Sequence, residues 1–384
     1  LLPRDAPLSG GQRASIGRRF RVRGIVRPDD LGRFDLRATP IARYNAFLPL
    51  ASLGDLAGQP GRANLLLIGA DGAGLKLDAL DDALKTVWTL EDAGLKLRNV
   101  PGGIELDSQR VFLEGPDQRA ARQAGEDSTG LLTYLVNSIR KGDKATPYSM
   151  AAAVGSLGGA VATTRPADTR PAASLAAALP ANLGDNEILI HPWLADDLDA
   201  KAGDTLTLTY FVLGEGRQIK EQSREFRVRS VLDQSSPLLD PTLMPEFPGI
   251  AAAESCRDWN VDLPIEYSRV RAKDEQYWSR YRGTPKAIVS LAAGRDMWAN
   301  RFGDLTAVRF PAPPEPAALR ERIRSHLAPA ELGLAFQDVR TPALAATAQA
   351  DFAGLFLGFS FFLIVAALIL TGLLFALGVQ QRST

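Results

Sequence analysis

"DFAGLFLGFSFFLIVAALILTGLLFALGVQQRST", residues 351–384, decides how the rest of the chain is read. From Phe352 to Val379 it carries 28 residues and no charge. As an α-helix this run is about 42 Å long, at about 1.5 Å per residue. A bilayer core of roughly 30 Å needs only about 20 residues. The segment therefore spans with some tilt, or with its first turns among the headgroups. It is apolar on every face, whereas the surface helix of a soluble domain keeps a polar side. Ser360 and Thr371 can return their hydroxyls to the helix backbone, and membrane helices tolerate the glycines. Gly354 and Gly358 stand four apart, as do Gly372 and Ala376. Small residues at that spacing permit a close helix crossing, so these four are helix-packing candidates; the bland alternative is ordinary membrane glycine usage.

The preceding residues have the composition of a soluble body. The 384-residue chain is 23% charged, with 44 Lys and Arg matching 44 Asp and Glu. That balance lacks the basic footprint of a nucleic-acid-binding protein. The length indicates two or three domains. Cys256 is the one cysteine, which excludes an internal disulfide and a thiolate metal cluster. The two histidines, His191 and His326, are far apart, and no HExxH string occurs. No cofactor or metal site is expected. Asp351 precedes the apolar run and Arg382 follows it, which puts the C-terminal side in the cytoplasm by the positive-inside rule. "LLPRDAPLSGGQRAS" is neither a signal peptide nor a membrane helix. A polar region placed outside without an export signal implies residues before Leu1. The end five residues past the apolar run implies more after Thr384.

Along the chain, "RRFRVRGIV" (18–26) alternates like a half-buried strand. "YNAFLPLASLGDLAGQPGRANLLLIGA" reads as strand, short helix, turn, strand. Residues 77–90 suit an amphipathic helix with Leu77, Leu80, Leu84 and Val87 on one face. "GGIELDSQRVFLEG" has the look of a hairpin, and "STGLLTYLVNSIR" of a strand near the sheet core. Residues 151–182, rich in Ala, Gly, Pro and Thr, predict a loop-dominated crossing with one short helix at most. "NEILIHPWLADDLDAKAGDTLTLTYFVLGEG" predicts strand, helix, turn, strand. The Pro- and aromatic-rich stretch 233–286 predicts turns and then a helix near 271–281. A helix over 317–328 and a strand over "LGLAFQDVR" lead through 341–351 to the apolar run.

Two strings recur in order. Phe20–Val26 (FRVRGIV) matches Phe226–Leu232 (FRVRSVL), and "AFLPLASLGDLAGQPGRANLLLI" from Ala46 matches "AIVSLAAGRDMWANRFGDLTAVRF" from Ala287. The pairs predict a duplicated unit. The expected fold class is α+β: two related mixed α/β extracytoplasmic units followed by one transmembrane helix. The first unit is 1–150, the crossing 151–182, the second unit with its insert 183–310, the stalk and membrane-proximal segment 311–351, and the transmembrane helix 352–379.

These strings, with "TYLVNSI" (133–139), "PYS" (147–149), "GDTLTLTYF" (203–211), "FPGI" (247–250), "KDEQYWSRYRGTPKA" (273–287) and "WANRFGDLTAVRF" (298–310), carry a resemblance. The chain resembles the extracytoplasmic domain and second membrane helix of FtsX-like, MacB-like ABC transporter permeases, in a long bacterial subgroup. The resemblance covers nearly all 384 residues. It implies a permease in the bacterial cytoplasmic (inner) membrane, with the bulk of the chain periplasmic. Further implied are a homodimer or heterodimer, a cytoplasmic ABC ATPase subunit, the lipid bilayer, and an extracytoplasmic protein or lipoprotein partner. Helices one, three and four of such permeases have no counterpart in these residues. Neither does a Walker A string, so ATP hydrolysis would belong to the partner.

Chemical readings of single motifs are weak. "LLLIGADGAG" (65–74) has its glycines in GxxGxG order, not the dinucleotide GxGxxG, and reads as a turn. His191 in "ILIHPW" has neither nucleophile nor orienting carboxylate assigned to it and reads as a strand-end or cap residue; Asp196 and Asp197 fall on the next helix. His326 reads as solvated. Asp274 and Glu275 are adjacent on a helix and point about 100° apart, so they do not make a facing acid–base pair. Tyr277 and Tyr281 share a helix face. No enzyme activity is expected. The leading reading is a transmission domain of an ABC permease. The alternatives are a membrane-tethered envelope binding or scaffold protein without an ATPase, and, less well supported, an anchored hydrolase.

Overall fold

The computed structural model describes residues 17–27, 30, 32, 35, 44–69, 74–125, 127–158, 175–180, 182–213, 218–261, 263–311, 315–339, 341 and 352–382. Among these the helices are α1 (Leu50–Leu56), α2 (Leu77–Val87), α3 (Gly115–Ala124), α4 (Leu175–Ala178), α5 (Pro192–Leu198), α6 (Ala272–Tyr281), α7 (Leu291–Trp298), α8 (Pro316–Ser325) and α9 (Phe352–Arg382). The strands are β1 (Leu95–Val100), β2 (Gly103–Ser108), β3 (Thr129–Lys141), β4 (Lys144–Ser156), β5 (Glu187–Ile190), β6 (Thr205–Leu213), β7 (Ile219–Val231), β8 (Ala287–Ser290) and β9 (Ala307–Pro311). By compactness the chain divides into Leu84–Leu334, and Gly17–Ala83 with Ala335–Thr384.

The first of these is a mixed α/β body built on one nine-stranded sheet, in the order β1-β2-β9-β3-β4-β8-β5-β7-β6. Its far edge returns: Thr207–Thr209 of β6 pair with Ser138–Arg140 of β3. Strands β3, β4, β8, β5, β7 and β6 therefore close a barrel. The start of β3, Thr129–Leu131, pairs instead with β9, which carries β2 and β1 outward as an antiparallel wing. Long β3 thus serves both parts. It turns into β4 through Gly142-Asp143, where Gly142 has φ +56° as a two-residue hairpin turn requires.

Period-two alternation sorts the central strands into two cores. Ala151 and Ala153, Ile188 and Ile190, and Ala287 and Val289 join one; Ala152 and Val154, Leu189, and Ile288 join the other. A sheet covered on both faces reads as a continuous apolar run. The second core is capped by α4 and by Leu238 and Leu243 of the insert. In the first, Trp298 of α7 stacks on Tyr134 at 5.6 Å and meets Tyr210 edge-on at 6.3 Å. Helix α7 lies tight on β4: a Cβ on Gly294 would sit 2.1 Å from that of Ala153, and one on Gly155 would sit 2.7 Å from Leu291 Cβ.

This close approach explains where the expected crossing differs. Residues 151–156 are the second half of β4, because small side chains let the helix pack directly on the strand. Strands from both expected units enter the one sheet, so compactness does not divide the body at 151–182. The recurring strings also behave differently in their two copies. Residues 226–231 are in β7, paired to β5 and β6, whereas 20–26 form no strand and expose Phe20, Val22 and Ile25. Among the described residues no strand lies against them, and an extended segment without a ladder partner is not a strand. The helices do correspond: α1 starts four residues after Ala46 and α7 four after Ala287. The hairpin expected within 102–115 pairs β2 backward with β1, across Pro101-Gly102. The expected strand over 332–340 is irregular where described, and 342–351 of the junction lie outside the described residues.

In the other unit, Phe336 N donates to Asp81 Oδ1 at 3.4 Å. Helix α9 runs 31 residues. It is the one helix among the described residues long and apolar enough to cross a bilayer, and none of its residues from Phe356 to Arg382 is buried.

Candidate functional site

Two features bear on function: the surface of α9, and a polar cluster where the insert meets the barrel rim. On α9, Thr371 Oγ1 donates to Ala367 O at 2.8 Å, the internal satisfaction a hydroxyl needs in hydrocarbon. Gly354 and Ala376 are exposed, and a Cβ on Gly358 or Gly372 would meet nothing within 4 Å. Each four-residue pair shares a face of the helix. All four packing candidates are thus on open helix surface, available to lipid or to another helix.

The polar cluster is anchored by main chain. Lys286 stands just before β8; its N–H donates to Met150 O at 2.8 Å, and its carbonyl accepts from His191 N at 2.9 Å. These two bonds fix the backbone of Lys286 between the ends of β4 and β5. His191 caps α5, its Nδ1 accepting from Trp193 N at 2.9 Å. The cap turns Trp193 toward α6, where its ring lies 4.9 Å from that of Tyr277. The Lys286 ammonium sits over both rings, 4.4 Å from Trp193 and 4.5 Å from Tyr277. Such desolvated cation–π contacts are worth about 2 kcal/mol or more.

Helix α6 opens with the Asp274 carboxylate folded back onto the N-cap residue Arg271. Asp274 Oδ2 accepts from Arg271 N and Nε, at 2.9 and 2.7 Å, and Oδ1 accepts from Arg271 Nη2 at 2.7 Å. Lys286 Nζ is 3.9 Å from the same carboxylate, an ion pair without a hydrogen bond. Asp197 of α5 accepts from Arg271, from Thr146 Oγ1 at 2.5 Å, and from Lys273. Burial acts to raise the Asp197 carboxyl, but the hydrogen bonds from Lys273, Thr146 and Arg271 outweigh it and hold it below the usual range. Burial pushes Lys286 down to about 8, against the pull of Asp274. Burial, then the charge of Lys286, pushes His191 down to about 4. Its ring is neutral at pH 7 and lies edge-on to Tyr277 and Tyr281, with Nε2 buried and without a hydrogen-bond partner.

The other singled-out residues fall in modest roles. Glu275 turns away from Asp274 to accept from Ser255 Oγ at 3.0 Å and Cys256 N at 3.1 Å. Tyr277 and Tyr281 do share a face, 4.9 Å apart. Cys256 is buried, and burial pushes its thiol up to about 12, so it is no thiolate nucleophile at neutral pH. His326 is exposed at the end of α8. Gly69 and Gly74 lie in irregular chain and Gly72 is outside the described residues. Among the described residues no three His, Cys, Asp or Glu side chains converge as metal ligands.

Lys286, Trp193 and Arg271 escaped the reading of the sequence. One signal was present: Lys286 directly precedes the apolar AIVS of β8, an unusual place for a charge that has to be buried. No protein-family model matches the chain, and no curated protein matches it.

Proposed function

We propose that the chain is the extracytoplasmic body and one membrane helix of an ABC transporter permease, which couples ATP hydrolysis by a cytoplasmic partner to movement outside the bacterial inner membrane. The motion serves export, lipoprotein release or mechanical signalling across the envelope. The observation that carries this reading is the presence, in one chain, of a folded α/β body and a helix of bilayer length that is exposed and uncharged from Phe356 to Val379. The resemblance of "FRVRGIV", "KDEQYWSRYRGTPKA" and the closing apolar string to such permeases adds the transport context. The open faces around Gly358 and Gly372 fit a dimer or neighbouring helices in the membrane. Without an ATP-binding motif of its own, the chain acts as transmitter and the partner as engine.

The experiment is to express the complete gene with the ATPase gene beside it and measure ATP turnover in membranes. Turnover that depends on the permease, together with loss of the extracytoplasmic output when a glycine-serine linker replaces 341–351, supports rigid coupling. An output unchanged by the linker rules out rigid transmission. A chain released from membranes by alkaline carbonate rules out the permease reading altogether.

A further inference from the structure

The Gly17–Ala83 part of the unit that holds α9 has almost no core. Among its described residues Gly54 alone is buried. Phe20, Val22, Ile25, Phe47, Leu50 and Leu66 are each more than half exposed. An apolar surface this open marks a place of contact. Much of it lies in the strings that recur in the body, so the structure holds a covered copy beside the open one.

In the covered copy the strings are strands of the nine-stranded sheet. Residues 226–231 lie in β7, between β5 running parallel and β6 antiparallel. Residues 287–290 are β8, between β4 and β5, and 307–310 lie in β9, between β2 and β3. Phe226 and Val228 are 1% and 2% exposed, whereas their counterparts Phe20 and Val22 are 55% and 78% exposed. The counterparts of all three strands, 20–26, 46–49 and 65–68, form no strand. Every ladder partner in the covered copy comes from β2–β6, the strands that precede β7 in the chain. The open copy thus has the late strands of such a sheet without the early ones among the described residues.

The correspondence extends to charge. Arg224 pairs with Asp296 of α7 at 2.7 Å, and Arg229 with Glu187 of β5 at 3.4 Å. The open copy keeps Arg18, Asp55 and Arg23 at the matching positions. Residues 18–27 carry five arginines and no acid. A second copy of this segment laid alongside is repelled, and a strand bearing carboxylates is attracted.

We propose that residues 20–26 are the docking edge for a partner polypeptide strand, one with alternating apolar residues and no positive charge, which adds antiparallel along them as β6 does along β7. In the transposed register Leu206 of a β6-like strand faces Phe20 and Thr205 faces Arg21, as they face Phe226 and Arg227. Main-chain bonds would hold such a strand and the apolar side chains would fix its face. The inference rests on the two copies and not on the transport reading.

The test uses the full chain in lipid nanodiscs and reads amide hydrogen exchange over 18–27 by mass spectrometry. The probe is an extra copy of residues 203–213 joined ahead of Leu1 by a flexible glycine-serine linker, which holds it near its target at about millimolar effective concentration. Exchange over 18–27 is expected to slow by about tenfold or more, with exchange over 224–231 unchanged. Leu206→Pro in the added strand should abolish the slowing, because proline removes a donor and bends the strand. Lysines in place of its three threonines should weaken the slowing. No slowing, or equal slowing by the proline strand, overturns the proposal. So does protection that appears without the added strand: on transfer from micelles to nanodiscs it identifies lipid as the cover, and on raising the protein concentration a second copy.

Discussion

Glu105 on β2 and Arg309 on β9 stand directly opposite in the antiparallel register, and their side chains meet at 2.5 Å with 1% and 6% of their surface exposed. Arg309 also reaches Asp240 at 2.9 Å and Thr242 Oγ1 at 2.6 Å, while Arg98 joins Glu105 from β1. One buried guanidinium thereby pins the outer wing of the sheet to the insert between β7 and β8. Removing it takes the ion pair from Asp240 and leaves buried Glu105 with Arg98 alone. Arg309→Met is therefore expected to destabilise the body by about 3–5 kcal/mol, read by urea unfolding. A loss under about 1 kcal/mol means that desolvation offsets the pair.

The contact of α7 with β4 leaves no room for one methyl group. Gly294→Ala sets a Cβ 2.1 Å from the Ala153 Cβ. The expected cost is about 1–3 kcal/mol, seen as a lower melting temperature. Ala153→Gly in the same chain should recover part of the loss, since neighbouring substitutions couple. Independent, additive effects argue that α7 simply shifts outward.

Folding should weaken in mild acid because of His191. In the unfolded chain it titrates near its ordinary 6.5; in the fold burial and Lys286 push it down to about 4. Between those values the unfolded state holds more protons, so stability is full above 6.5 and falls as pH drops toward 4. The loss is roughly 2–4 kcal/mol. Asp107 and Asp117, pushed up to about 6 by burial, act in the opposite sense, taking up protons in the fold first as pH falls. The measurement is therefore the difference in stability between the native chain and His191→Asn, which keeps a capping acceptor. A difference that stays constant from pH 7 to pH 4 contradicts the assignment.

On α9, Gly358→Leu and Gly372→Leu should leave the unfolding of the body unchanged, because nothing lies within 4 Å of either added Cβ. If these faces meet other helices, each change lowers association in membranes by about tenfold, as read by energy transfer between labelled chains. Unchanged association assigns these glycines to ordinary lipid contact.

Much of this was legible in residue order. Strands β3, β5, β6 and β7, helices α5 and α6, and the span of α9 all follow from periodicity, caps and an uncharged run, which are local properties. His191 as a cap and Tyr277 with Tyr281 on one face were legible for the same reason. The second half of β4 was not, since "AAAVGS" has no β-branched alternation and becomes a strand only because α7 needs small residues beneath it. Lys286 was not, because its surroundings come from β4, α5, α6 and the insert.

By itself the sequence determined the class of the chain: an α/β body with balanced charge, a helix fit for a bilayer, and a single cysteine that rules out an internal disulfide. These rest on composition and on spacing within a few turns. Tertiary structure alone decided that both halves of the body share one sheet, that β6 closes it on β3, and that the Lys286 ammonium is buried over the rings of Trp193 and Tyr277. Ladder pairing and charge burial join residues separated by up to about two hundred positions, as Glu105 and Arg309 are. No local pattern encodes which distant partner a strand edge or a buried charge will find.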